Sequence, residues 1–110
     1  MRMTTLQEKA TEAQIQRGIL DYLGYKGIFH WRHNVGGMSG SYKGKSWYVK
    51  FGEKGQPDIF CVVDGKIYGC EIKRSTGKQS KEQIEWQKRF EEVGGVYILA
   101  RSIDDVSKVI

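Results

Sequence analysis

Two carboxylates and one ammonium are spaced along this chain so that a single β-hairpin would bring them together. Asp58 begins an apolar run that continues to Val63, and Glu71 and Lys73 lie at the end of the next apolar run. The Asp64-Gly65 pair between the two runs is a strong signal for a tight hairpin turn. Because strand side chains alternate between faces, Glu71 and Lys73 share one face, and antiparallel pairing places Asp58 beside them. The sequence therefore predicts two acids and one base at a single point beside an apolar core.

The chemistry of this cluster favours a divalent-metal site. Convergent carboxylates repel each other unless a cation neutralises them, and oxygen ligands with room for water suit Mg²⁺ or Mn²⁺. The alternative is a surface hairpin in which Glu71 and Lys73 form a weak exposed pair. The Gln56-Pro57-Asp58 segment, together with a hairpin of matching length, favours the metal site.

A helix is predicted over residues 11–24. Thr11 and Gln14 form a capping box, and apolar residues recur at helical spacing until Gly24. Glu12 lies three residues before Ile15, so we expect it to project along the apolar face, which is unusual for an acid. Its simpler role is that of a first-turn glutamate favoured by the helix dipole, with a stabilisation of about 0.5 kcal/mol.

A second helix begins after Ser80 and runs to about Val93. Ser80 and Gln83 form another capping box, and Gln83 shares a stripe with Trp86 and Phe90. Gln83 therefore faces inward near the strand that ends at Lys73. The spacing alone leaves two roles open for Gln83, one in the capping box and one at the site.

The remaining elements complete an α/β order. Strands are predicted over residues 28–34, 47–51 and 96–100, and a last short helix follows Ser102. The order α-β-β-β-β-α-β-α predicts a sheet with helices packed against it. The Gly-rich stretch 36–56 is expected to form a mobile hairpin or loop.

Composition indicates one small domain, and its charge favours a polyanionic partner, with a generic basic surface as the alternative. The chain has 110 residues and a net charge of +5, and its cations cluster within residues 43–54 and 73–81. No stretch is apolar enough to span a bilayer, so we expect no membrane association. The N-terminus lacks the apolar segment of a signal peptide, which predicts a reducing, cytoplasmic compartment and free thiols at Cys61 and Cys70.

Other patterns carry no chemistry. Gly44-Lys45-Ser46 resembles the end of a phosphate loop, but Ser39 occupies the place of its first glycine, so we expect no nucleotide cofactor. His30 and His33 are three residues apart on a predicted strand, which sends them to opposite faces and excludes a shared zinc ion. Neither histidine is assigned a role.

The ordered set Asp58, Glu71 and Lys73 resembles the PD-(D/E)xK nuclease superfamily. Two further segments narrow this resemblance to the VRR-NUC family: residues 11–16, and Gln83-Ile84-Glu85-Trp86 followed by Gly94-Gly95-Val96-Tyr97-Ile98-Leu99. The resemblance covers about residues 11–102. It implies that residues 1–110 form a single VRR-NUC-like domain with a restriction-endonuclease-like core, in which helices flank a mixed central β-sheet.

The resemblance also implies a divalent-metal-dependent endonuclease that hydrolyses DNA phosphodiester bonds. Its metal-binding groups would be Asp58, Glu71, the backbone carbonyl of Ile72 and Glu12. Lys73 would lie beside the attacking water, and Gln83 would orient water or a phosphate oxygen.

The basic segments would bind DNA phosphates through Lys43, Lys45, Lys50, Arg74, Lys78 and Lys81. Tyr42 and Trp47 could also stack on unpaired bases, or they could belong to an ordinary surface loop. Stand-alone members of the family resemble phage-encoded proteins that act as homodimers on branched DNA such as Holliday junctions, so a phage or prophage origin is an expectation. Two alternatives stay open: a flap, single-strand or nonspecific DNA nickase, and a DNA-binding subunit with a silent nuclease fold.

Overall fold

The computed structural model describes residues 10–33, 36–51 and 54–110. In chain order, its helices and strands are α1 (Glu12–Tyr25), β1 (Phe29–Arg32), β2 (Gly36–Tyr42), β3 (Lys45–Phe51), β4 (Ile59–Val63), β5 (Lys66–Ile72), α2 (Lys81–Glu92), β6 (Val96–Ala100) and α3 (Ile103–Ser107). The predicted α/β class is confirmed. The described chain has one strand more than predicted, because the glycine-rich segment before β3 pairs with β3 as strand β2.

A mixed four-stranded sheet forms the centre of the molecule. Its order is β1-β4-β5-β6, with antiparallel pairing from β1 to β5 and parallel pairing between β5 and β6. The turn between β4 and β5 has positive φ at both Asp64 (51°) and Gly65 (78°), as a tight hairpin turn requires. The predicted Asp64-Gly65 hairpin is therefore confirmed.

Helices α1 and α3 cover one face of this sheet. The buried α1 residues Ile15, Ile19 and Leu23 belong to a core with side chains from β4, β5, β6 and α3. Cys61 and Cys70 are buried free thiols in this core. Burial raises the pKa of Cys61 to about 11 and that of Cys70 to about 12. Both cysteines therefore act as small apolar side chains, as predicted.

Helix α2 covers part of the opposite face through aromatic packing. The rings of Trp86 and Phe90 lie 5.9 and 6.2 Å from the ring of Phe60 on β4. A side chain on Gly69 would meet both Phe90 and Pro57, with a Cβ only 2.8 Å from Pro57 Cγ. The glycine therefore lets the proline and α2 approach the sheet at the strand that carries Glu71.

Strands β2 and β3 form a separate two-stranded sheet. Their register runs from Gly36 opposite Phe51 to Tyr42 opposite Lys45, and Lys43 and Gly44 form the turn with positive φ. The Lys50 side chain and residues 52 and 53 of the predicted loop lie outside the described part of the structure. In the described part of the chain, every helix is too short or too polar to cross a bilayer.

Candidate functional site

Asp58 and Glu71 lie opposite each other on neighbouring strands. Asp58 directly precedes β4, and the pairing of Ile59 with Cys70 puts it level with Glu71 on β5. Its backbone N–H donates to the Cys70 carbonyl over 3.0 Å. Its carboxylate Oδ2 accepts a 2.8 Å hydrogen bond from the Ile72 N–H. The backbone of β5 therefore holds the Asp58 carboxylate next to Glu71.

Glu71 is a buried acid with an unsatisfied oxygen. It is 3% exposed, and its Oε1 atom is buried without a hydrogen-bond partner. Burial, followed by repulsion from Asp58, raises the pKa of Glu71 to about 8. A buried acceptor without a partner is costly. A cation between the two carboxylates would satisfy the orphan oxygen and remove the repulsion, so the donor set fits a hard divalent metal ion.

Lys73 supplies positive charge at the same place. It follows β5 by one residue, and its N–H donates to the Ala100 carbonyl over 3.0 Å, which extends the pairing with β6. The side chain is half-buried. Its charge lowers the pKa of Glu71, although burial and Asp58 outweigh this effect. The predicted grouping of Asp58, Glu71 and Lys73 is therefore present in the structure.

Glu12 lies at the rim of this cluster. It is exposed in the first turn of α1, one turn before the first buried residue, Ile15. Its spacing of three residues puts it on the same side of the helix as Ile15, as expected, although Glu12 is itself exposed. Repulsion from Glu12 still contributes to the raised pKa of Glu71. Among the described residues, no three His, Cys, Asp or Glu side chains are grouped to hold a metal ion. The metal roles of Asp58, Glu71, Glu12 and the Ile72 carbonyl therefore stay predictions.

Gln83 takes part in the capping box of α2. Its Oε1 accepts from the Ser80 N–H over 2.8 Å, and its own N–H donates to Ser80 Oγ over 3.2 Å. The capping role that spacing left open is confirmed. A role for Gln83 at the site stays a prediction.

One residue that the sequence analysis did not assign to the site, Tyr97, lies beside Glu71, and Gln79 links it to Gln87. Gln79 Nε2 donates to Gln87 Oε1 over 2.9 Å and to Tyr97 Oη over 3.3 Å. Burial raises the pKa of Tyr97, and interactions with Glu71 and Asp58 raise it further, so its hydroxyl lies beside the carboxylates. Tyr97 precedes Leu99, the β6 partner of Glu71, by two residues and therefore shares its face. In the sequence, the one signal for a role of Tyr97 was the presence of a tyrosine within a continuous apolar strand.

His33 lies beside Asp58 on the other side. Its N–H donates to the Asp58 carbonyl over 2.7 Å, and its ring packs edge-on against Phe60 at 5.8 Å. Its buried Nε2 atom has no hydrogen-bond partner. The sequence showed that the two histidines diverge, but the pairing of β1 with β4 was needed to place His33 next to the acids.

The segment after Lys73 is held by Arg101. Arg101 Nη1 donates to the carbonyls of Arg74, Ser75 and Gly77, with distances of 3.2 Å to Ser75 and 2.8 Å to Gly77. This fixes the turn that directly follows the site. The predicted DNA-contacting residues Arg74, Lys78 and Lys81 are exposed in this segment, and Lys43 and Lys45 are exposed on the β2–β3 hairpin.

Comparison with known proteins supports the architecture. No family model matches the sequence, and no curated protein matches it. A solved structure described as a VRR_NUC domain is similar, with a TM-score of 0.63 and 22% sequence identity. The similarity covers 91% of this chain and 95% of that structure. The chain therefore has the fold of a VRR_NUC domain, which confirms the resemblance seen in the sequence at the level of the fold.

Proposed function

We propose that this chain is a divalent-metal-dependent endonuclease that hydrolyses DNA phosphodiester bonds. The observation that carries the proposal is the buried Glu71 carboxylate, which has an unsatisfied oxygen directly beside Asp58. Two adjacent ionised carboxylates at the edge of a core destabilise the fold unless a cation neutralises their charge. The fold similarity to a VRR_NUC domain, whose name denotes a nuclease, supports the same conclusion.

The metal-binding groups would be Asp58, Glu71 and the Ile72 carbonyl, with Glu12 supporting a second ion or its water molecules. Mg²⁺ or Mn²⁺ fits because the groups are oxygen donors. When bound, such an ion lowers the pKa of a water molecule and neutralises charge on a phosphate. The hydrogen bond from the Ile72 N–H orients the Asp58 carboxylate for this task.

Lys73 would stabilise the charge that develops during hydrolysis. Its ammonium lies close enough to Glu71 to lower the pKa of that acid. A fixed positive charge there favours hydroxide over water and stabilises the additional negative charge of the transition state. The Gln83 amide would orient a water molecule or a phosphate oxygen as a neutral donor.

DNA would be held mainly through its phosphates. The exposed residues Arg74, Lys78 and Lys81 follow the site, and Lys43, Lys45 and Lys50 belong to the hairpin. We propose branched DNA such as a four-way junction as the substrate and a homodimer as the active form. A twofold axis would supply two sites for paired incisions.

A cleavage assay tests this proposal. Labelled four-way junction, flap and linear duplex DNA are incubated with Mg²⁺, Mn²⁺ or EDTA. The Lys73→Ala variant is expected to cut about 100-fold more slowly or worse, because one stabilising charge is lost. Lys66→Ala is the matched control, since Lys66 is exposed at the other end of β5.

The outcomes separate the candidate functions. Metal-dependent paired cuts confined to the junction would support a resolvase, whereas cutting shared with flaps or duplex would indicate a broader nuclease. Binding without any cleavage would contradict the enzymatic proposal and indicate a DNA-binding subunit.

A further inference from the structure

The β2–β3 hairpin is a basic surface without acidic residues. Residues 36–51 include three lysines and contain no Asp or Glu. Aromatic residues lie next to these lysines in the sequence, and Tyr42, Trp47 and Tyr48 are 70%, 44% and 66% exposed. Exposed rings among cations, with no anion to repel phosphates, are complementary to a nucleic-acid strand.

One ring of the hairpin lies over a glycine. Gly40 pairs with Trp47 across the two strands. A Cβ atom at Gly40 would lie 2.4 Å from Trp47 Cζ2 and 2.8 Å from Cε2, so the indole occupies the space that a side chain would need. Glycine therefore lets the indole lie close against the strand. This packing fixes one side of the ring while the residue remains 44% exposed.

The same face of the hairpin carries a second ring and a cation. Tyr42 pairs with Lys45, and strand alternation puts both on the face of Gly40 and Trp47. Lys43 Nζ lies 5.5 Å from the centroid of the Tyr42 ring. Tyr48 lies on the opposite face. The two faces therefore differ, and only one of them combines Trp47, Tyr42 and Lys45.

The residue that precedes the β2–β3 hairpin segment, at the end of β1, lies next to the acidic site. β1 leads into the hairpin, and the residue after β1, His33, is hydrogen-bonded to Asp58. β3 ends at Phe51, seven residues before Asp58. Trp47 lies four residues before Phe51, or about 13 Å along the strand.

We propose that Trp47 and Tyr42 stack on an unpaired base of the DNA substrate while Lys43 and Lys45 contact the flanking phosphates. This inference rests on the proposed function, and it restricts the substrate to DNA that has an unpaired base. The DNA carries an unpaired base, as at a flap, a gap or an open branch point. Stacking on an aromatic ring accepts any base, so recognition depends on DNA structure and not on sequence.

Binding measurements in EDTA test the stacking without requiring cleavage. Fluorescence anisotropy compares a labelled flap with a fully paired duplex of equal length. Trp47→Leu is expected to weaken flap binding about tenfold, because a base stack contributes on the order of 1–3 kcal/mol. Binding to the duplex should change less than about twofold, since phosphate contacts remain. Trp47→Phe, which keeps an aromatic ring, should retain most of the flap affinity.

Tyr48→Leu is the matched control, because it removes an exposed ring from the opposite face of the same strand. It should leave flap binding unchanged. The stacking proposal is overturned if Trp47→Leu and Tyr48→Leu behave alike, if flap and duplex lose affinity equally, or if the wild-type chain binds neither DNA. Loss of a dimer in Trp47→Leu with unchanged flap binding would also overturn it and assign this face to a second copy.

Adding Mg²⁺ to the same complexes separates this inference from the proposed function. A Trp47-dependent flap preference without cleavage would contradict the nuclease proposal and leave the stacking surface intact. If the chain cuts DNA and Trp47→Leu changes neither binding nor cutting, the nuclease proposal is supported and the stacking proposal is overturned.

Discussion

At the scale of single residues, Glu71 connects the structure with the proposed chemistry. Its carboxylate is buried beside Asp58, and its Oε1 has no hydrogen-bond partner. Without a cation, burial and repulsion keep the proton on Glu71 until the pH approaches its pKa of about 8. The site is therefore unfavourable for an ionised glutamate alone and favourable for a glutamate that binds metal.

This raised pKa predicts a pH-dependent stability of the metal-free protein. In the unfolded chain Glu71 ionises near its ordinary pKa of 4.5, whereas in the folded chain it ionises near 8. The unfolded state therefore loses its proton first, and the free energy of unfolding should fall as pH rises from about 4.5 to about 8. A fall of a few kcal/mol, at most about 5 kcal/mol, is expected, since the two pKa values differ by about 3.5 and each pKa unit corresponds to about 1.4 kcal/mol. Urea denaturation in EDTA at several pH values measures it.

Glu71→Gln is the control for this prediction, because its amide does not ionise. The variant should show a much weaker pH dependence over the same range. Equal pH dependence in the variant and the wild type would rule out Glu71 as the source.

At the scale of helices and strands, local signals predicted the site's framework. The Asp64-Gly65 turn and the capping boxes at Thr11 and Ser80 are present in the structure. These features depend on neighbouring residues and can therefore be found in sequence. Strand β2 was missed because Gly-Gly-Met-Ser-Gly-Ser has low strand propensity, and its pairing with β3 supplies what its own residues lack.

The capping box allows the two roles of Gln83 to be separated. Ser80→Ala removes the cap but leaves the glutamine, and it should lower stability by about 1 kcal/mol with little effect on cleavage. Gln83→Ala should lower stability by a similar amount and, if the amide also acts at the site, slow cleavage about tenfold. Thermal melts and single-turnover rates of both variants measure this. Equal cleavage rates in Gln83→Ala and Ser80→Ala would show that Gln83 acts only in the capping box.

The hairpin gives a second prediction at this scale. Gly40 does not belong to the positive-φ glycines, so its backbone accepts alanine, yet the added methyl would meet the Trp47 ring. Gly40→Ala should therefore displace the indole and reproduce the weaker flap binding of Trp47→Leu. Anisotropy titrations measure the effect, and Ser41→Ala, on the opposite face, is the matched control. Unchanged flap binding by Gly40→Ala would show that the position of the ring does not matter.

At the scale of the whole molecule, charge predicts salt-dependent DNA binding. Six cations are proposed to contact phosphates, so the logarithm of the binding constant should fall against the logarithm of salt concentration with a slope of about −5. Lys78→Ala should make this slope less steep by about 0.9. Titrations at several salt concentrations measure it, with Lys66→Ala as control. A slope near zero would contradict phosphate-dominated binding.

Less of the site could be predicted from the sequence at this scale. The grouping of Asp58, Glu71 and Lys73 could be predicted because one hairpin creates it. The positions of Tyr97 and His33 at the site could not be predicted, since both residues reach it through pairing of β6 and β1 with the β4–β5 hairpin. These contacts join residues far apart in the chain, and no local pattern encodes them.

The most direct test of the central claim is calorimetric titration of Mn²⁺ into the metal-free protein at pH 8. The wild-type chain should bind Mn²⁺ saturably, and Glu71→Gln should lose that binding. Glu85→Gln, which changes an exposed acid on α2, should bind like the wild type. Equal Mn²⁺ binding by the wild type and Glu71→Gln would contradict a metal site built on Asp58 and Glu71.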